Sequence, residues 1–503
     1  MATATGADLL ERWRDISALG TATAVLSWDQ ETMMPPEGQP ARGRVLSALA
    51  GMHHERMTDP ALSDALEVAA DAVGSDPVMG AQVRLVRREI DRARAVPGDL
   101  ARRQAEVQSR AQAAWQKARA ENDFSVFRDE LVESLAVATD VADAYVAAGL
   151  ALRRYDALID LYEPGATEAD IAPVFAALRE QLVPIVAAVA DSGVEIDLSP
   201  VTGGFDVDAQ KALAEDVIAG LGYEFSRGRL DPAAHPFSIS FGTRDVRVTW
   251  RAAPDDVRMA IYSAIHEAGH ALYEMGLPED LEGTPAGSAV SLGIHESQSR
   301  LWENLVGRRL STVRWMHPRF VVAFPDAAGH SAEDLWRALN VVKPSLIRVE
   351  ADEATYNLHI MARFELERAL MSGDLAVDDL PGAWDDMYDE MLGIRSPDVA
   401  DGVLQDIHWS MGAFGYFPTY TLGNLAAAQL FEAARRAIGD VDEMFASGDF
   451  APLLGWLREN VHSSASLVDA SDLMVRATGR ELAADDLVGH LRARVTAVYG
   501  IEV

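Results

Sequence analysis

Pro254-Asp255-Asp256-Val257-Arg258-Met259-Ala260-Ile261-Tyr262-Ser263-Ala264-Ile265-His266-Glu267-Ala268-Gly269-His270-Ala271-Leu272-Tyr273-Glu274-Met275-Gly276 is the stretch whose reading decides the rest. Proline and two aspartates stand where a helix starts, and Gly276 with Pro278 where one stops, so the spacing predicts one helix. Ile261, Ala264, Ile265, Ala268, Leu272 and Met275 recur at helical intervals and predict a buried stripe. His266 and His270 are four apart, so their imidazoles leave neighbouring turns of one face and can close on one metal ion. Glu267 lies one step round, beside the ion rather than on it.

Two neutral imidazoles and one carboxylate leave a position on zinc for water, which the ion acidifies. A glutamate beside that water can take its proton as it attacks a carbonyl and return it to the leaving amine, which is the chemistry of peptide hydrolysis. The carboxylate ligand is expected from Ile294-His295-Glu296-Ser297-Gln298-Ser299-Arg300-Leu301-Trp302-Glu303, a second helical stretch reached through Gly283, Pro285, Gly287 and Gly293. A helix hairpin bent at those residues returns Glu296 to the metal. His295-Glu296 starts no second site, because Ser299 stands where another histidine would be required.

Composition narrows the field. The chain has 503 residues, 49% of them hydrophobic, enough for a large core in a one-domain or two-lobed protein. Its 44 Lys+Arg against 78 Asp+Glu give a net charge of −34, which repels phosphate backbones and anionic membranes. Nucleic-acid and membrane partners are therefore not expected. There is no cysteine, so a metal site must use nitrogen and oxygen ligands. Met1 to Leu10 has no basic stretch followed by an apolar one, and no apolar run approaches the ~20 residues of a membrane span, so a cytoplasmic protein is the simplest reading.

Working outward, Ala7 to about Leu161 has the spacing of long packed helices, broken at Pro35-Pro36 and Pro97-Gly98. Trp28-Asp29-Gln30 reads as a packed tryptophan at a helix end. Thr167 with Asp170 opens a helix as a capping box does, and further helices are expected near Ile171 to Ala190 and Ala209 to Ile218. His235 to Phe241 and Val246 to Trp250 alternate around Gly242-Thr243-Arg244, predicting a β-hairpin whose edge can pair with a substrate backbone.

Ser331 with Asp334 predicts another helix start. A long helix from Pro344-Ser345 to near Gly373 would put Arg348, Asp352, Tyr356 and His359 on one polar face. Gly402 to Gly423, rich in glycine and aromatics, suits a mobile wall able to offer His408 or a tyrosine hydroxyl to an oxyanion. Ala426 to Val503 reads as helical scaffold broken at Gly439, Gly448 and Gly479.

With these residues in view the chain resembles the thermostable carboxypeptidase Taq family of metallocarboxypeptidases. The likeness rests on the metal helix, His235-Pro236-Phe237, the Asp-x-Arg-x-Thr of Asp245 to Thr249, His295-Glu296-Ser297-Gln298, the Ile-Arg-x-x-Ala-Asp of Ile347 to Asp352, and the Gly-x-x-Gln-Asp-x-His-Trp of Gly402 to Trp409. Trp28-Asp29-Gln30 and Tyr420 to Gly423 extend it over essentially the whole chain.

The resemblance implies a mostly α-helical, saddle-shaped homodimer with a deep cleft, related in architecture to neurolysin and angiotensin-converting enzyme. It implies one catalytic domain over residues 1–503, with two helical lobes flanking the cleft as a permitted form. It also implies removal of single residues from peptide C-termini with broad specificity, poorly at proline, using zinc that cobalt or manganese can replace. Carried over residue by residue, His266, His270 and Glu296 hold the metal and Glu267 is the general base. Arg348 then binds the terminal carboxylate, and His408 with Tyr420 or Tyr416 stabilises the tetrahedral intermediate. Bidentate contact suits either Arg348 or Arg247 to that carboxylate. Spacing alone leaves an oligoendopeptidase as the near alternative and a helical scaffold with a structural metal as the distant one.

Overall fold

The computed structural model describes residues 4–503 and is helical along most of its length, with one small sheet. The breaks fall where proline and capping residues put them. A helix over Ala4–Thr32 stops before Pro35-Pro36, and another over Gly98–Glu121 begins directly after Pro97. Asp59 adds a break that hydrophobic spacing does not announce, because its carboxylate takes the Ala61 N–H at 2.9 Å and caps Pro60–Ala72. The chain divides into two compact units, one of Met1–Ala93, Ile196–Leu339 and Ala426–Leu482, the other of Arg94–Glu195, Asn340–Leu425 and Ala483–Val503.

In the first unit the predicted metal helix spans Val257–Gly276, capped by Asp256, whose side chain accepts from the Arg258 N–H at 2.9 Å. The expected stripe is buried, and so are Tyr262, Glu267 and Tyr273 outside it, since the sheet and other helices pack round this element. The sheet has three strands rather than two. β1 (Leu230–Pro232) lies parallel to β3 (Val246–Trp250), and β2 (Ser238–Ser240) antiparallel to it, in the order β1-β3-β2. The hairpin is as expected; β1 escapes the pattern because three residues including Asp231 and Pro232 carry no alternation. Thr249 joins the hairpin to His235-Pro236-Phe237: its hydroxyl accepts from the Phe237 N–H at 2.7 Å and donates to the Phe237 carbonyl at 3.1 Å. Trp28 is buried, with the Arg247 guanidinium over its ring at 4.3 Å.

The glycine- and proline-containing connection after the metal helix is pinned by Gln82, whose amide donates to Thr284 Oγ1 and accepts from the Ala286 N–H, both at 2.9 Å. The next helix, Leu292–Arg300, starts on Ser291 and continues as a π-helix over Leu301–Gly307. It crosses the metal helix at Gly269, where a Cβ would lie 2.6 Å from Ser299 Cα and 2.7 Å from the Gln298 carbonyl oxygen. Only a residue without a side chain allows that approach.

In the second unit the Glu168–Asp191 helix opens with the expected Thr167–Asp170 capping box. It corrects the expectation about apolar runs, being long and apolar enough by length and composition to cross a membrane. Ile171, Phe175, Leu178, Leu182, Ile185, Val186 and Val189 are buried along it, the amphipathic pattern of a helix packed on a core. The helix expected from Pro344 begins instead at Tyr356 and ends at Ser372. Asp352 is the reason: it accepts from the backbone N–H groups of Lys343, Ala354 and Thr355 and from the Thr355 hydroxyl, at 2.7–3.1 Å, and so ends the preceding segment and caps the helix. Arg348, on a short 3₁₀ turn over Arg348–Glu350, therefore does not share a helical face with Tyr356 and His359.

Gly269→Ala is expected to cost roughly 1–3 kcal/mol, because the atoms it meets are backbone and cannot rotate away. A urea midpoint equal to wild type would show that the crossing has slack.

Candidate metal centre

The crossing at Gly269 brings the two predicted elements' polar residues together. Glu296 Oε2 lies 3.3 Å from His270 Nε2 and 3.6 Å from His266 Nε2. The two imidazole rings are 5.0 Å apart at 81°, their Nε2 atoms converging. Among the described residues this is the group of three histidine, aspartate or glutamate side chains whose ligand atoms fall within 4.8 Å of one another. Two imidazoles and a carboxylate fit a divalent transition ion such as zinc.

The outer nitrogens are held as well. His266 Nδ1 is 2.9 Å from Glu303 Oε2, and His270 Nδ1 is 3.1 Å from the His295 carbonyl oxygen. Each contact orients a ring and leaves Nε2 for the ion. The His295 ring stacks on His270 at 4.5 Å, and its Nε2 is 2.9 Å from Glu274 Oε1. Ser299, noted in the sequence only for not being histidine, donates its hydroxyl to the Glu296 carbonyl oxygen at 2.6 Å, with Glu296 Oε2 3.0 Å away.

Arg300 completes the arrangement, with Nε donating to Glu296 Oε1 at 2.7 Å and Nη1 to Glu303 Oε2 at 3.2 Å. With Oε1 so engaged, Oε2 is the oxygen that Glu296 offers a metal. Burial opposes ionisation of Glu296, yet Arg300 and then the imidazoles outweigh it and hold the carboxyl well below the usual range. Glu303 is brought down to about 2 against the same burial, again chiefly by Arg300. Glu267 has no such cation, and burial pushes its carboxyl up to about 7; a metal ion beside it would act in the opposite sense. Sequence reasoning missed Arg300 and Glu303, although Glu296, Arg300 and Glu303 recur at i, i+4 and i+7, the signal of one helical face.

Arg348, His408, Tyr416 and Tyr420 group within the second unit, whereas Arg247 belongs to the first. Arg348 Nε donates to Asp406 Oδ1 at 2.9 Å and Nη1 to the Tyr356 hydroxyl at 3.0 Å. Arg363 Nε donates to Asp406 Oδ2 at 2.6 Å. Two guanidiniums thus share one carboxylate, leaving that contact group with a surplus positive charge. His408 is beside it, its ring 5.2 Å from Tyr416 and 6.3 Å from Tyr420, with Nε2 3.4 Å from the Tyr420 hydroxyl. Burial pushes the His408 imidazole down to about 4; Asp406 works against this and the two arginines with it. Within the segment expected to be a mobile wall, Asp406 is held in buried ion pairs with Arg348 and Arg363. Arg247, by contrast, is matched by Asp245 through two contacts, 2.9 and 2.8 Å, and lies between the rings of Trp28 and Phe241.

Replacing Glu303 by glutamine removes a charge that orients His266 without touching a ligand atom. Its metal affinity, measured by competition with a chelator, is expected to fall about 10–100-fold; wild-type affinity would show that Glu303 does not support the site.

Residues 8–495 match the family model described as carboxypeptidase Taq (M32) metallopeptidase. The chain is 43% identical over 502 residues to thermostable carboxypeptidase 1 of Thermus thermophilus, covering 98% of both, and 36% identical to carboxypeptidase 1 of Bacillus subtilis, covering 98% and 97%. Its fold superposes with TM-scores of 0.96 on the M32 carboxypeptidase of Deinococcus radiodurans, at 39% identity over 99% and 100% of the two chains, and 0.93 on metallocarboxypeptidase 1 of Trypanosoma cruzi, at 32% over 98% and 99%. A match along nearly the whole chain, with the converging histidines and glutamate intact, places this protein in the carboxypeptidase Taq (M32) family as a metallocarboxypeptidase.

Proposed function

We propose that this chain removes single residues from the free C-termini of peptides, with broad side-chain tolerance and poorly at proline, and that zinc is its ion, replaceable by cobalt or manganese. The observation that carries the reading is the convergence of His266, His270 and Glu296 beside a buried glutamate that no ligand role uses. When bound there, the ion supplies Lewis acidity to the scissile carbonyl and lowers the pKa of water. Glu267 takes the proton of the attacking water as the carbon–oxygen bond forms, and gives it to the amine as the carbon–nitrogen bond breaks. His408, held neutral by burial, and the hydroxyl of Tyr420 or Tyr416 are hydrogen-bond donors for the oxyanion between those steps.

Arg348 is the residue we assign to the terminal carboxylate. The surplus charge it shares with Arg363 over a single aspartate favours an added anion, whereas the charge of Arg247 is matched one-to-one by Asp245. A half-buried edge strand, β2, offers backbone groups to an extended peptide. Family likeness supports a homodimer with one catalytic domain per chain. The net charge of −34 and the lack of cysteine fit a cytoplasmic enzyme without nucleic-acid or membrane partners.

Glu267→Gln should retain its metal by atomic absorption yet lose at least about a hundredfold in kcat. Retained turnover would remove glutamate from the proton-transfer role. Offered a peptide and its C-terminally amidated twin, the wild type should process the free acid alone, and Arg348→Ala should lose that preference. Equal cleavage of both by the wild type would make it an endopeptidase.

A further inference from the structure

Glu367 lies on the Tyr356–Ser372 helix, one turn beyond Arg363, fully buried and unused by the roles above. Its Oε2 accepts from the Tyr155 hydroxyl at 2.9 Å and from the Gly415 backbone N–H at 2.8 Å, and its Oε1 accepts from the Trp409 indole N–H at 2.8 Å. Three neutral donors thus meet one side chain on both of its oxygens. A carboxyl group accepts at both oxygens; an amide would set its N–H donors against one of the three. Burial pushes this carboxyl up to about 7, while the hydrogen bonds from Gly415, Trp409 and Tyr155, and then Arg363, pull the other way.

Two of those contacts belong to neighbours of proposed functional residues. Trp409 directly follows His408, and Gly415 directly precedes Tyr416. Two further contacts hold the segment. Ser134 donates its hydroxyl to the Trp409 carbonyl at 2.7 Å. Gly415 has φ +81°, and a Cβ there would lie 2.7 Å from the Leu158 and Ile159 backbone, in the helix that also carries Tyr155.

We propose that Glu367 is a positioning residue: its carboxylate fastens both ends of the Trp409–Gly415 segment and so fixes His408 and Tyr416 relative to each other for the reaction. This rests on His408 and a tyrosine serving as donors to the oxyanion. Glu367 acts through the pair formed by His408 and Tyr416 and touches no substrate.

The test compares Glu367→Gln, His408→Ala and the double variant in the full-length, metal-loaded protein. kcat and KM are measured on a short free-acid peptide, together with metal content and backbone hydrogen exchange over residues 408–416. Glu367→Gln is expected to lower kcat at least about tenfold with a smaller change in KM, as displacement of an aligned group does. Metal content should hold and the Gly415 amide should exchange faster. Added to His408→Ala it should cost less than about a further twofold, because the pair whose geometry it fixes is already broken. The same loss in both backgrounds, or an unchanged kcat in Glu367→Gln, overturns the proposal. Should His408→Ala alone keep full kcat, the oxyanion reading fails, and exchange decides the clamp separately: unchanged Gly415 protection in Glu367→Gln overturns it, lost protection upholds it. If Glu367→Gln does not fold, Tyr155→Phe removes one donor and keeps the carboxylate; a loss of about threefold that vanishes beside His408→Ala supports the proposal, and an additive loss overturns it.

Discussion

Arg300 donates to Glu296 at 2.7 Å and to Glu303 at 3.2 Å, and the rest of the first unit's chemistry depends on that bridge. Three glutamates, Glu267, Glu296 and Glu303, are buried beside two imidazoles, and a buried carboxylate without a partner costs several kcal/mol. The guanidinium keeps two of them ionised. It also ties up one oxygen of Glu296 and leaves the other facing the two imidazoles. Glu267 is left outside the bridge, and burial without that cation moves its pKa in the opposite direction.

The second unit solves a related problem with different partners. Asp406 is shared by Arg348 and Arg363, which hold its carboxyl below the usual range against burial. Glu367, one turn further along the same helix, is kept by three uncharged donors and sits near neutrality. The first arrangement concentrates positive charge; the second fixes backbone. Both act on the segment around His408, since Asp406 and Trp409 flank that histidine at two residues and one.

Periodicity found the metal helix, its cap, the hairpin and the breaks at proline and glycine, because these are set by residues close in sequence. It failed at Pro344, where helical spacing continues but the chain does not. Asp352 collects three backbone N–H groups and a hydroxyl there, and a capping side chain in a favourable place overrides the propensity of the residues before it. It failed also at β1, whose three residues are ordered by the strand they lie against.

What the sequence determined by itself is local: two histidines on neighbouring turns, a glutamate between them, and the order of the motifs that mark the family. Tertiary structure alone decided which oxygen of Glu296 faces the histidines, that Arg300 and Glu303 belong to the site, that Arg247 is already matched by Asp245, and that Arg348 shares Asp406 with Arg363. Those outcomes depend on which charges are buried together. Burial is a property of packing between distant segments, and in this chain it turns on a crossing made possible by the missing side chain of Gly269.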